Sequence, residues 1–216
     1  MALVIETVNY SHLTGNPDLR NGVGEFEMDV TYPFEQTTFF TDIGFETHKA
    51  WLETRSSNPR SFIVGAMTKR LDPGLRRLPD VYANLIESIH KTLEMVGVET
   101  YSCFRRERFG TIGITSEHAT ILDRLALDTS HFLTMLPGAS DSGGTWKEIV
   151  HATKAGTHIV GLFNEQEPEL EFRDRIMEAA AVHGARSSLV FVTFGSHDEL
   201  VSGLTQVATT PRIIAQ

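Results

Sequence analysis

From Ser61 onward, short apolar runs alternate with longer amphipathic ones, and this rhythm narrows the possible folds more than any other feature. Ser61–Gly65, Val98–Ser102, His131–Leu136, Thr157–Phe163 and Ser188–Phe194 are too short for stable helices. They are rich in β-branched and aromatic residues and bounded by turn formers, as strands are. Between them lie helical patterns. Val81–Val96 places Leu85, Ile86, Ile89, Leu93 and Val96 on one face. Ser116–Asp128 begins at a capping serine, and Thr145–Ala155 stops at Gly156. Glu171–His183 stops at Gly184, and Ser196 caps a last helix reaching about Val207. Five strands alternating with helices predict an α/β fold with a doubly wound, five-stranded parallel sheet.

The first 58 residues read differently. Glu25 to Tyr32 alternates like a half-buried strand, Thr37–Phe40 suggests another, and Glu46–Arg55 a short helix. Ser56-Ser57-Asn58-Pro59 is turn chemistry and marks the boundary. The expected division is an N-terminal extension over 1–58, serving as a β-containing cap or an oligomerisation segment, and an α/β domain over 59–216.

The length, 216 residues with 41% hydrophobic content, supports one sizeable core. A formal charge of −9 repels nucleic acid and anionic membranes, but a small phosphate can still bind to local N–H groups. No apolar run approaches the ~20 residues of a membrane span. The start lacks a basic segment followed by an apolar one, and the single cysteine, Cys103, rules out an internal disulfide. A cytoplasmic protein is expected. The nine histidines show no metal spacing and Cys103 has no thiol partner, so neither metal nor cofactor is expected.

In such sheets the ligand lies beyond the carboxyl ends of the strands. Three strand-end loops have unusual composition: Gly65–Arg70, Cys103–Gly110 and Pro137–Thr145. The last is rich in small residues and runs into a helix, where free N–H groups and the positive dipole end favour an anion. Ser142 and Thr145 add hydroxyls. This suits a phosphate cradle, and equally an ordinary solvated loop with an N-cap. Glu148, in the first turn of that helix, either stabilises the dipole or attacks the anomeric carbon of a bound sugar phosphate. Asp123 on the preceding helix is a candidate partner for proton work. Arg105, Arg106 and Arg108 suit phosphate or base contacts, or a salt-bridged loop in which Glu107 pairs with one of them.

The stretch Ala119-Thr120-Ile121-Leu122-Asp123, followed by Gly138…Ser142-Gly143-Gly144-Thr145-Trp146-Lys147-Glu148-Ile149 and Ala152…Gly156, resembles the nucleoside 2-deoxyribosyltransferase superfamily. It is most like the nucleotide N-glycosidase branch, with its cytidylate and hydroxymethylcytidylate hydrolases of nucleoside-antibiotic pathways. Phe104 to Gly110 resembles an Arg-Arg-Glu…Gly element of those enzymes. The likeness spans roughly Ser61 to Phe163 and implies a Rossmann-like domain that hydrolyses a nucleoside 5′-monophosphate. It makes Glu148 the nucleophile and Asp123 its helper. Ser142, Gly144 and Thr145 become the phosphate cradle, and Gly65 the glycine beside the sugar. Phe62 and Phe104 would lie near the base, with Arg105 and Arg106 contacting substrate. The run Gly65-Ala66-Met67 departs from the family's glycine followed by Pro or Ser, and His131 stands where an aspartate is usual. The resemblance also implies a homo-oligomer. A base-exchanging transferase is an alternative. So is a cytokinin-type phosphoribohydrolase, whose Gly-Thr-x-x-Glu is matched but whose longer glycine run is missing. A third is a nucleotide sensor without catalysis.

Overall fold

Alternation inside the strands divides the interior into two cores, one on each face of a single sheet. The computed structural model describes residues 3–8, 26–166, 168–183 and 188–210. The strands are β1 (Val4–Val8), β2 (Arg60–Val64), β3 (Glu99–Ser102), β4 (Phe132–Met135), β5 (His158–Asn164) and β6 (Leu189–Phe194). The helices are α1 (Asp42–Glu53), α2 (Met67–Arg70), α3 (Asp80–Met95), α4 (Cys103–Arg106), α5 (Ser116–Thr129), α6 (Gly143–Ala155), α7 (Leu170–Val182) and α8 (His197–Ala208). Phe62, Leu133, Met135, Ile159, Phe163 and Phe191 face one core, with α1, α5, α6 and α7. Ile63, Phe132, Val160, Leu162, Val190 and Val192 face the other, with α3 and α8. Burial on both faces explains the near-continuous apolar runs.

The sheet order is β1-β6-β5-β4-β2-β3. The five expected strands are parallel throughout. A sixth, β1, joins antiparallel to β6, so the expected five-stranded sheet is corrected to a mixed six-stranded one. Its five residues carry no turn signal, and their partner is remote in sequence, so no local pattern marks the pairing. The chain leaves β2 for β3 on one side and returns to β4 on the other. That reversal opens a crevice at the carboxyl ends of β2 and β4.

Other expectations near the N-terminus change. Residues 26–32 do alternate between half-buried and exposed, but they belong to no strand, and Glu25 lies outside the described residues. Their N–H groups find side chains instead: Met28 donates to Thr120 Oγ1 at 2.8 Å and Val30 to Ser116 Oγ at 3.1 Å. The second expected strand reduces to one bridge, Phe39 to Gly113. The short helix starts earlier than expected, because Thr41 caps it by accepting the Gly44 N–H. Thr115 rather than Ser116 caps α5, and Gly184 lies outside the described residues. Ser196 does cap α8, in a reciprocal box with Glu199. Gly156, in the left-handed region at φ 81°, ends α6 as expected. No helix among the described residues is long and apolar enough to cross a membrane.

Candidate active site

The crevice holds a cavity of about 610 Å³, within the range of small-molecule sites. Gly65 ends β2 where a Cβ would stand 3.0 Å from Leu136 Cβ, so its bareness lets the two strand ends close up. Met67, Thr68 and Lys69 of α2 form the adjoining wall. After β4, Gly138 turns the chain at φ 75°. Its N–H donates to Glu169 Oε2 at 2.8 Å, and the Ser140 N–H donates to Oε1 at 3.3 Å. A carboxylate just before α7 therefore shapes the loop that leads into α6.

Ser142 is the N-cap of α6, accepting the Thr145 N–H at 3.1 Å. That leaves its hydroxyl proton free to donate. The Gly143 and Gly144 N–H groups belong to the first turn, which has no helical acceptor for them. Thr145 is buried, and its hydroxyl has no hydrogen-bond partner among the described residues. One turn deeper, Glu148 is 3% exposed and Asp123, from α5, is 2% exposed. Nothing among the described residues hydrogen-bonds the Glu148 carboxyl.

Among the described residues, Arg106 is the cation that touches this acidic cluster directly. Arg106, at the end of α4, donates through Nη1 to Asp123 Oδ1 at 2.5 Å and through Nη2 to Glu107 Oε1 at 2.8 Å. Burial alone would lower the Arg106 pKa, but the charges of Asp123, Tyr101 and Glu107 hold it well above its usual value. Burial, then the neighbouring Asp123 charge, pushes Glu148 well above the carboxylate range, with Arg106 opposing. Burial raises Asp123 as well, against its contact with Arg106. Of the two, Asp123 touches the guanidinium, which favours its charged form, and the Asp123 charge in turn favours a proton on Glu148. Burial raises Glu107 too, opposed by Arg106 and the Tyr32 hydroxyl.

The cavity lining brings together Glu148, Asp123, Gly65, Arg106, Ser142, Gly144 and Thr145, seven of the residues singled out in the sequence. Phe62, Phe104 and Arg105 do not line it. Phe62 is fully buried in one core, tilted against Tyr101, because its place in β2 turns it into the helix layer. Phe104 is fully buried in the other core, edge-on to Tyr82. Arg105 points away and pairs with Glu87, at 2.9 Å, and with Glu94, both on α3. Arg108 is exposed. Glu107 pairs with an arginine as expected, and that arginine is Arg106. Trp146 packs against Phe172 with Arg175 over its ring. His131 is structural, its Nδ1 accepting the Arg60 N–H. Among the described residues no group of His, Cys, Asp and Glu could hold a metal ion.

Sequence reasoning missed the remaining wall, Met28 to Pro33, which lies across the cavity as an extended strap. Lys147 also lines the cavity and donates to the Glu27 carbonyl at 2.6 Å. The signal for the strap was present, since the alternation from 26 to 32 marks a backbone with one face inward. The strand reading itself was wrong, because side chains rather than a neighbouring strand take up its N–H groups.

No protein-family model matches the chain, and no curated protein sequence does. Among solved structures the chain is similar to BlsM, in its solution structure, with a TM-score of 0.55 and 21% identity. The match covers 74% of this chain and 91% of that one. It is also similar to the Clostridium botulinum CMP N-glycosidase BcmB, with a TM-score of 0.48 and 20% identity over 68% of this chain and 98% of that one. The likeness to BlsM shows a shared α/β fold.

Proposed function

We propose that the protein hydrolyses the N-glycosidic bond of a nucleoside 5′-monophosphate, releasing the base and a pentose or deoxypentose 5-phosphate. One observation carries the reading: a buried pair of carboxyls, Glu148 and Asp123, shares a cavity with the open first turn of a helix. The resemblance of Phe104–Gly110 to the Arg-Arg-Glu element of cytidylate hydrolases favours a pyrimidine base.

The 5′-phosphate accepts from the Gly143 and Gly144 N–H groups and from the hydroxyls of Ser142 and Thr145, with the α6 dipole assisting. Glu148 follows one turn later on the same helix, so a phosphate seated there brings the anomeric carbon within its reach. The pair's single proton moves to Asp123 and from there to the departing base, as Glu148, now a carboxylate, attacks that carbon. The C–N bond breaks with its electrons going to the base. Water then attacks the anomeric carbon and gives a proton to Asp123, and Glu148 leaves as a carboxylate. The pair again holds one proton. Arg106 keeps Asp123 ionised, ready to receive it.

The test incubates the protein with a panel of nucleoside 5′-monophosphates and the matching nucleosides, with Glu148→Ala alongside, and separates free base by chromatography. Release from a monophosphate, lost in the variant, is the expected result. No release from any substrate, even with a second base added as acceptor, would overturn hydrolysis and base exchange alike.

A further inference from the structure

The strap forms a wall of the cavity that the proposed chemistry does not use. Phe26, Met28, Val30 and Tyr32 turn inward along it. The Tyr32 hydroxyl donates to Glu107 Oε2 at 2.7 Å and accepts the Ile114 N–H at 3.0 Å. The other Glu107 oxygen receives Arg106 Nη2, and Arg106 Nη1 reaches Asp123. A continuous series of charge-assisted hydrogen bonds thus runs from the strap to the carboxylate beside Glu148.

We infer that Tyr32 is a positioning residue for the Glu148–Asp123 pair: it holds Glu107 in place, Glu107 fixes how Arg106 divides its two arms, and the pair is set only when the strap is seated. The catalytic meaning of this link rests on the function proposed above, whereas the link itself does not.

The electrostatics follow from the geometry. Glu107 is 1% exposed and has two ordered donors, Tyr32 and Arg106. Without the tyrosine hydroxyl, one of its oxygens stays buried without a donor, and such a carboxylate takes up a proton. A neutral Glu107 no longer offsets the guanidinium, whose charge then acts on Asp123 and Glu148 alone. Both should then ionise more easily. The other charged or titratable groups around the cluster are Cys103 on α4, Tyr101 on β3, His48 on α1, and Asp29, Lys69 and Lys147 on the cavity wall. None of them bridges Glu107 to Arg106.

The decisive experiment follows the Glu148 carboxyl by carbon NMR of labelled side chains across pH, in the full chain without ligand. Its signal is assigned with Glu148→Gln. Tyr32→Phe should lower the Glu148 titration by about one pH unit or more, the shift expected when a neighbouring charge is removed. Val30→Ala, which trims the strap's side-chain packing but keeps it seated through the residue 30 N–H to Ser116 and the Tyr32 hydroxyl, should leave the titration in place. No shift in Tyr32→Phe, or an equal shift in Val30→Ala, would overturn the link. Base release is measured in parallel. A wild-type protein that releases no base would sink the proposed function, while the titration still decides the link. In an active protein, Tyr32→Phe should lower kcat, with KM little changed, and move the alkaline limb of the kcat profile, where the pair loses its one proton, down by the same amount. A moved titration with an unmoved profile would overturn the positioning role.

Discussion

Glu148 should make the folded protein less stable than it could be. The carboxyl is buried, receives no hydrogen bond from the described residues and sits beside a second carboxylate. Its folded pKa is therefore raised above the ordinary 4.5 that it regains on unfolding. The unfolded chain releases the proton first, so this group's contribution to stability falls as pH rises from about 4.5 and levels off only above the folded value. One proton separates the two states across that window, a slope of about 1.4 kcal/mol per pH unit. Glu148→Gln has nearly the same shape and no proton to lose. Its melting temperature should match the wild type near pH 4 and pull ahead as pH rises. For a chain of this length each kcal/mol corresponds to about 2–4 °C. The assay is thermal unfolding of both proteins in steps upward from about pH 4, below the point where the unfolded carboxyl begins to lose its proton. A gap that does not widen with pH would refute the argument, since it would mean that Glu148 is not held protonated by its surroundings.

The same cluster gives a reciprocal prediction for its cation. Arg106→Met leaves Asp123 and Glu107 buried without a counter-charge and should cost about 3–5 kcal/mol near neutral pH. The loss should shrink on acidification, as both carboxyls take up protons, and a pH series of chemical denaturation would reveal it. Ser142→Ala removes the α6 cap and should cost about 1 kcal/mol in the same assay. It should also weaken the calorimetric binding of a nucleoside monophosphate but not of the matching nucleoside. Phe62→Ala should cost about 3–5 kcal/mol through the void it leaves, with the rate of base release from the folded fraction unchanged, because the ring lies away from the cavity.

The parallel strands and their helices were legible because local composition encodes them. A run such as Phe132–Met135, closed by Pro137 and Gly138, reads as a buried strand wherever it occurs. The carboxyl pair was legible for a different reason, since Asp123 and Glu148 sit on consecutive helices whose order follows from the alternation. The two phenylalanines were harder. Phe62 stands three residues from Gly65, yet strand alternation turns its ring into the core while the glycine edges the crevice. Arg105 and Arg106 are neighbours in sequence and opposite in role, because a single turn of α4 sends one outward to Glu87 and the other inward to Asp123. Nothing local separates them. The strap's alternation was legible but its pairing was not, and β1 was hidden likewise: their partners are remote, and the strap's backbone is satisfied by Thr120 and Ser116 side chains rather than by a neighbouring strand.

Residues Val4 to Val8 cover the outer edge of β6, and Glu6 fastens them further through Arg173 of α7. A shortened protein starting at Pro59 would keep every parallel strand and the Asp123–Glu148 pair. It would also expose the N–H and C=O groups along one side of β6, a strand buried along nearly its whole length. An uncovered apolar edge of this kind is a template for a second copy to join edge to edge. The short N-terminal strand thus replaces the buried apolar edge of β6 with its own shorter and more exposed one, a poorer template for such pairing.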